Sequence, residues 1–217
     1  MLKKALFAAV SATALISFGS SALAASVSLS EGWKNQRLSL FSKNDYDFGQ
    51  SLGIASDGAV SIAWRKLPRS FWETERASWN WSVSQSVPAT DLSVKGGDDR
   101  NISIYFLFAP DDQAEKLAGA GIRSLLGNDD LRVIQYAWGG NHSRGALLQS
   151  PYQPGQGVTV ALRPAGTGTH SESVNLSNDF RKAFGGTSGK LLGIAVSGDS
   201  DDTDSVIRAQ ISNFQID

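Results

Sequence analysis

The chain has 217 residues, no cysteine, and 20 basic against 21 acidic side chains, for a formal net charge of −1. This balance, without a basic stripe along the sequence, argues against a nucleic-acid or anionic-membrane partner. The lack of cysteine excludes disulfides and zinc sites with thiolate ligands, so the fold must be held together by packing alone.

The first 24 residues are typical of a signal peptide. Lys3 and Lys4 give a positive start, residues 5–18 form an apolar run, and Ala22-Leu-Ala24 is a small-x-small cleavage site. An apolar run of about 14 residues is too short to cross a bilayer, which takes about 20. We therefore expect an exported protein, periplasmic or extracellular, with one domain over residues 25–217. No transmembrane segment is expected after the signal peptide is removed.

Most of the remaining chain consists of short segments in which apolar and polar residues alternate. Trp79–Val87 and Asn101–Phe108 show this period-2 pattern of a strand with one buried face, with Trp79, Trp81, Ile104 and Phe106 directed to the core. Similar segments, separated by turn-forming residues, occupy positions 60–64, 131–138, 158–162, 192–196 and 207–216. This spacing predicts a mainly β fold, a single-domain antiparallel β-sandwich or jelly roll with one or two short helices.

Three local irregularities are predicted within this pattern. The alternation in the last segment slips at Ser212-Asn213, which predicts a β-bulge. Ser177–Phe184 is expected to be a helix with Ser177 as its N-cap, two phenylalanines packed on the sandwich and Gly185 as its end. Asp111–Leu126 is expected to be a second helix, although two internal glycines leave a helical loop as the alternative.

The residue sets of common hydrolases do not occur in the sequence. There is no Gly-x-Ser-x-Gly elbow, and the only two histidines lie in polar, glycine-rich segments. Glycosidases use two carboxylates that face each other across a cleft. The available pairs are Glu73 with Glu75 and Asp98 with Asp99. We assign no catalytic residue, and we keep a polysaccharide-cleaving hydrolase or lyase that uses one of these pairs as an alternative.

The segment Gly198–Asp204, GDSDDTD, places four carboxylates within six residues. Such groups repel one another unless water screens them or a cation gathers them. Oxygen ligands of this kind suit calcium, which takes six to eight of them. Asp199, Asp201 and Thr203 are the expected binding residues if a cation or the hydroxyls of a ligand bind here, and an exposed hairpin tip is the alternative. No other cofactor is expected, and the sequence leaves open whether this segment meets Asp98 and Asp99.

Aromatic residues are numerous for one sandwich, with six tryptophans. Alternating tryptophans belong to the core by default, but Trp138 ends a strand before a glycine-rich turn. We therefore predict that Trp138, Asn141 and His142 face a ligand together with Asp98 and Asp99. Aromatic rings stack on sugars while polar side chains take hydroxyls, so the leading hypothesis is a non-catalytic protein that binds a glycan or another cell-envelope component. A structural envelope domain is a further alternative.

Five short motifs occur in order between Trp33 and Ile216: Trp79-Asn-Trp81, Gly97-Asp-Asp99, Tyr136-Ala-Trp-Gly139, Asn178–Gly185 and Asp199–Thr203. In this order they resemble the bacterial family called domain of unknown function 3047, whose members are exported, β-rich, single-domain proteins. Asn80 and Ser103 stand where the family is expected to carry arginines, so any ion pair of those arginines with the acidic corner must differ here. The resemblance implies the fold and brings no activity or catalytic residues.

Overall fold

The computed structural model describes residues 24–38 and 42–217, so the predicted signal peptide lies outside the described residues except for Ala24. The strands are β1 (Ala25–Ser26), β2 (Lys34–Arg37), β3 (Asp45–Phe48), β4 (Ser51–Asp57), β5 (Ser61–Lys66), β6 (Arg76–Gln85), β7 (Arg100–Ala109), β8 (Arg132–Gly139), β9 (Leu147–Gln149), β10 (Gly157–Arg163), β11 (Gly168–Asn175), β12 (Lys190–Asp199) and β13 (Val206–Ile216). The helices are α1 (Ala114–Ala118), α2 (Ile122–Leu126) and α3 (Leu176–Phe184), and none in the described ranges could span a membrane.

Two sheets pack face to face. Sheet A has the strand order β11-β6-β13-β4-β3, with β1 beside β13, and sheet B has the order β2-β5-β12-β7-β8-β10-β9. The predicted mainly β sandwich is confirmed. One pair departs from the expected antiparallel arrangement, because β8 and β10 run parallel.

The core lies between the sheets and is built from the apolar faces of the alternating strands. Trp79 and Trp81 are each 1% exposed, and Ile104 and Phe106 are fully buried, which confirms the predicted phase of β6 and β7. The rings of Trp79 and Trp81 meet edge to face with centroids 5.5 Å apart, a geometry that the charge distribution of aromatic rings favours.

The predicted bulge in the last strand is confirmed. The register of β13 against β6 shifts between Ser212 and Gln215, and Asn213 adopts a φ of 51°. Asparagine is one of the few residues that enter this left-handed region readily. The extra residue allows both Ile211 and Phe214, three positions apart, to point into the core.

Helix α3 exists as predicted, but its N-cap is Asn175 and not Ser177. The Asn175 side chain accepts a hydrogen bond from the backbone N–H of Asn178 at 2.7 Å. Leu176 is fully buried and already lies in the first turn, so its burial sets the start of the helix ahead of Ser177. The cap prediction was therefore wrong by two residues.

Alanine substitutions at Asn175 and at Ser177 should show which residue caps the helix by their different effects on stability. Asn175→Ala should lower the free energy of unfolding by about 1 kcal/mol, because a backbone N–H of the first turn loses its acceptor. Ser177→Ala should change it by less than about 0.5 kcal/mol, since its hydroxyl is not the cap. Urea denaturation of both variants measures the difference. Equal losses would contradict the assignment of the cap to Asn175.

The end and the packing of α3 agree with prediction. Gly185 has a φ of 76° and terminates the helix, a backbone conformation that glycine adopts without strain. Phe180 is buried in the core, and the half-buried Phe184 packs against it with ring centroids 5.0 Å apart.

The segment Asp111–Leu126 forms two short helices, because its glycines interrupt the helical run at positions 119–121. Leu117 of α1 and Leu125 of α2 pack on the outer face of sheet B, where they bury a second, smaller apolar cluster. These helices cover only part of that face. The start of β7 and the loops around it lie beyond them, and this region carries the candidate site.

Candidate functional site

Four connections meet around the start of β7, namely residues 86–99, 140–146, 150–156 and 200–205. The Thr90 hydroxyl donates to the carbonyl of Asp99 at 3.1 Å, and the carbonyl of Thr90 accepts from the N–H of Asn141 at 2.9 Å. The N–H of Leu92 donates to Nε2 of His142 at 3.0 Å. Hydrogen bonds of the 86–99 connection thus join the predicted residues Asn141 and His142 to the acidic segment at Asp98 and Asp99.

The two acidic segments are in direct contact, which the sequence left open. Strands β7 and β12 pair with Asp199 opposite Arg100, so the residues before β7 and after β12 lie at the same end of sheet B. The fully buried Asp99 accepts from the backbone N–H of Thr203 at 2.8 Å and from its hydroxyl at 2.5 Å. We call the resulting cluster the acidic corner: Asp98, Asp99, Arg100, Tyr105, Tyr152, Asp199, Asp201, Asp202 and Thr203.

A buried arginine organises the acidic corner. Nη1 of Arg100 lies 3.0 Å from Oδ2 of Asp98 and 3.1 Å from Oδ2 of Asp199, and Nη2 donates to the hydroxyl of Tyr105 at 2.9 Å. Burial by itself lowers the pKa of Arg100, but Tyr105, Asp199 and Asp98 together raise this pKa above its ordinary value. The guanidinium therefore stays charged. Sequence reasoning missed Arg100, although the family resemblance pointed to an arginine beside the acidic segment at other positions.

Asp199 was predicted as a metal ligand, but one of its oxygens is held by Arg100. Its side chain is 9% exposed, and its second oxygen, Oδ1, is buried and accepts no hydrogen bond from any described residue. Burial raises the pKa of Asp199 to about 8, with Arg100 opposing the shift and the neighbouring carboxyl groups of Asp201 and Asp98 adding to it. The environment of this carboxyl group thus disfavours a bare negative charge.

The carboxylates that suit a hard cation are Asp99, Asp201 and Asp202. One oxygen from each of the three lies within 4.8 Å of the others. Asp99 is buried, whereas Asp201 and Asp202 are exposed. Burial, followed by Asp99 and Asp201, raises the pKa of Asp202. Thr203, predicted as a ligand, instead uses its hydroxyl to donate to Asp99, so it supports this donor set rather than belonging to it.

Trp138 does not face a ligand, and this prediction was wrong. It is 2% exposed and packs between Trp81, with ring centroids 5.5 Å apart, and His170, at 5.0 Å. The alternation of β8 turns Trp138 to the same side as the buried Ile134 and Tyr136. The glycine-rich turn begins only after the strand has left the core.

The exposed aromatic residue of the acidic corner is Tyr152. It is 57% exposed, and its hydroxyl donates to Oδ1 of Asp98 at 3.0 Å. Burial of the hydroxyl and the charge of Asp98 raise the pKa of Tyr152 to about 12. The ammonium group of Lys95 lies 5.4 Å from the ring centroid. The sequence could have indicated that Tyr152 is exposed, because it lies in the segment PYQPGQG, whose prolines and glycines are typical of a surface loop.

The remaining residues considered from the sequence are Asn141, His142 and the pair Glu73 and Glu75. Asn141 is exposed, and Nε2 of His142 accepts from the N–H of Leu92 and lies 3.2 Å from the carboxylate of Asp91. The Glu73 side chain is 77% exposed and pairs with Lys190. Glu75 is exposed as well, so this glutamate pair is a solvated loop pair.

Comparison of the sequence with family models gives one match. The model described as "Protein of unknown function (DUF3047)" matches residues 31–215, which is most of the chain. None of the curated proteins compared with the chain matches it.

Solved structures with a similar arrangement of strands include several polysaccharide-degrading enzymes. The xyloglucanase domain of NopAA, a type three effector from Sinorhizobium fredii in complex with cellobiose, has a TM-score of 0.45 at 10% identity, over 85% of this chain and 92% of that chain. A thermostable cellulase derived from Cel12A of Rhodothermus marinus has a TM-score of 0.44 at 11% identity, over 89% and 99%. The family 11 xylanase from Neocallimastix patriciarum has a TM-score of 0.35 at 8% identity, over 85% and 99%. Likeness at this level concerns the fold and carries no argument about activity.

Proposed function

The chain belongs to the DUF3047 family of proteins of unknown function, which assigns no activity, and we propose that it is an exported, non-catalytic β-sandwich that binds a carbohydrate or another hydroxyl-bearing component of the cell envelope. The observation that carries this proposal is the position of Tyr152 in the acidic corner. A largely exposed aromatic ring is anchored through its hydroxyl to the buried Asp98.

The surroundings of Tyr152 supply the polar groups that such a ligand needs. The backbone N–H of Asp202 lies 3.4 Å from Oδ1 of Asp99, the residue next to the Asp98 that anchors Tyr152. A Cβ placed on Gly96 would lie 3.8 Å from Oδ1 of Asp202, which puts the backbone of the 86–99 connection on the same surface. An aromatic face beside exposed carboxylate oxygens matches the mixed apolar and hydroxyl surface of a sugar.

The hydrogen bond that anchors the Tyr152 ring should also raise the affinity for a ligand. The hydrogen bond to Asp98 restricts Tyr152 before a ligand arrives, so less side-chain entropy is lost on binding. Because Asp98 is itself held by Arg100, the restraint extends into the buried part of the corner.

The geometry favours binding over cleavage at the acidic corner. The oxygens of Asp98 and Asp199 that contact Nη1 of Arg100 are at most about 6 Å apart, a separation within the range of glycosidase carboxylates. However, the guanidinium of Arg100 occupies the space between them, where the scissile bond of a substrate would have to lie. Asp99 is also occupied, because it accepts hydrogen bonds from the backbone N–H and the hydroxyl of Thr203. The alternative of a polysaccharide hydrolase or lyase would therefore require a rearrangement of this corner.

A glycan array tests the proposal with the purified protein that lacks its predicted signal peptide. We expect binding to at least one glycan class without release of product, and Tyr152→Ala should weaken it about tenfold or more, as for an aromatic contact residue. Tyr152→Phe retains the ring and should lose less, since only the bond to Asp98 is removed.

Two controls accompany this measurement. Leu147→Ala alters an exposed apolar residue outside the acidic corner, and it should leave binding unchanged. Full binding by Tyr152→Ala would remove the corner as the site, and release of cleaved product would support the enzyme alternative. Absence of binding to every glycan would contradict the ligand class.

A further inference from the structure

We propose that Asp99, Asp201 and Asp202, bordered by the buried Oδ1 of Asp199, form a calcium site that fastens the loop 200–205 to the start of β7. The donor set differs from the one that the sequence predicts, because Asp99 comes from the other acidic segment. The proposal goes beyond the proposed glycan binding, since it concerns how the corner itself is held together.

The first support is the geometry of the three carboxylates. Oxygens of Asp99, Asp201 and Asp202 converge within 4.8 Å, close enough to share one ion. Oδ2 of Asp99 is engaged by Thr203, whereas Oδ1 has only a long contact of 3.4 Å with the N–H of Asp202. Asp99 therefore keeps a weakly engaged oxygen, and its bonds to Thr203 hold it in position.

The second, independent support is Oδ1 of Asp199. Buried oxygens of a carboxylate nearly always accept a hydrogen bond, and this one accepts none from the described residues although its side chain is more than nine-tenths buried. Its carboxyl group lies within hydrogen-bonding reach of Asp201, so it borders the three converging carboxylates. Without a cation, this contact needs a proton on one of the two carboxyl groups, whereas a cation bound beside them stabilises both as carboxylates.

The balance of charge in the acidic corner also supports a bound cation. The acidic corner contains five aspartates and one arginine, and Arg100 is already engaged by Asp98 and Asp199. No arginine or lysine of the described residues pairs with Asp99, Asp201 or Asp202 at salt-bridge distance. Their mutual repulsion is lowered most by a divalent cation.

Calcium is the ion that this arrangement fits. All three donors are carboxylate oxygens, which hard cations prefer, and backbone carbonyls or water would complete the six to eight ligands of calcium. Magnesium demands a stricter octahedral geometry at shorter distances. Because two of the three carboxylates are exposed, we expect an affinity in the range of extracellular calcium modules, with a Kd of roughly 0.1–1 mM.

Thermal unfolding of the EDTA-treated protein tests the site. At a calcium concentration a hundred times Kd, mass action should raise Tm by about 5–10 °C. Magnesium at the same concentration, and sodium chloride at the same ionic strength, should raise it much less. The sodium control separates a specific site from the screening of repelling carboxylates.

Variants in the same loop locate the site. The double variant Asp201→Asn/Asp202→Asn should lose the calcium-dependent rise in Tm, and both positions are exposed, so the variant should fold. Asp204→Asn removes a charge from the same loop outside the three carboxylates and should keep the rise.

Several results would overturn the calcium site. These are an unchanged Tm in calcium, an equal rise in sodium chloride, persistence of the rise in the double variant, or its loss in Asp204→Asn. The readout needs no glycan, so failure of the calcium site and failure of glycan binding remain distinguishable.

Discussion

Replacement of Trp81 by alanine should lower the free energy of unfolding by about 3–5 kcal/mol. Trp81 is 1% exposed and its ring contacts those of Trp79 and Trp138, each with centroids 5.5 Å apart. The substitution removes the burial of a large apolar surface and leaves a cavity between the sheets, which rigid neighbouring strands fill only in part. Denaturation in guanidinium chloride, with an unchanged dependence on denaturant, measures the loss.

Two controls define this result. Trp81→Phe keeps an aromatic ring and removes an indole N–H that bonds to none of the described residues, so it should cost much less than the alanine variant. Asn80→Ala lies on the opposite face of β6 and should change stability by no more than about 0.5 kcal/mol. If Trp81→Ala unfolds like the unmodified protein, Trp81 does not belong to the core.

Replacement of Arg100 by methionine should also lower the free energy of unfolding by about 3–5 kcal/mol. The methionine fills similar space, but it leaves the buried Asp98 without its compensating charge and Asp199 without its hydrogen-bond donor. Removal of one partner of a buried ion pair is costly because the other charge cannot regain its water. Urea denaturation at neutral pH gives the size of the effect.

Removal of the orphaned charges should restore part of this stability. The triple variant Arg100→Met/Asp98→Asn/Asp199→Asn should be more stable than Arg100→Met alone, although the arginine contacts with Asp98, Asp199 and Tyr105 are lost in both. Asp199→Asn by itself should cost less than Arg100→Met, since burial already raises the pKa of Asp199 to about 8 and favours its neutral form. A triple variant no more stable than Arg100→Met would show that lost packing, and not uncompensated charge, sets the cost.

The alternating strands were predictable because each strand carries its own signal. In Trp79–Val87 and Asn101–Phe108 the side that faces the core follows from period 2, whichever partners the strand later finds. The bulge at Ser212-Asn213 was predictable for the same reason, since a slip of one residue turns every later side chain to the opposite face of the sheet.

Two local predictions failed where tertiary packing selected between similar candidates. Asn175 and Ser177 both have side chains that cap helices, and the burial of Leu176 decided which of them precedes the first turn. The alternation of β8 places Trp138 on the same buried side as Ile134 and Tyr136, although glycines follow it. A turn that follows a strand does not alter the face of the last strand residue.

The sequence by itself determined that this protein is a β-sandwich with two acidic segments, because strand patterns and charge clusters are local properties of the chain. Only the tertiary structure decided that the segments meet. Their contact depends on the pairing of β7 with β12, which lie about ninety residues apart, and on the insertion of Arg100 between carboxylates from both. The order of strands in a sheet is selected by long-range packing of whole faces, which no local pattern records.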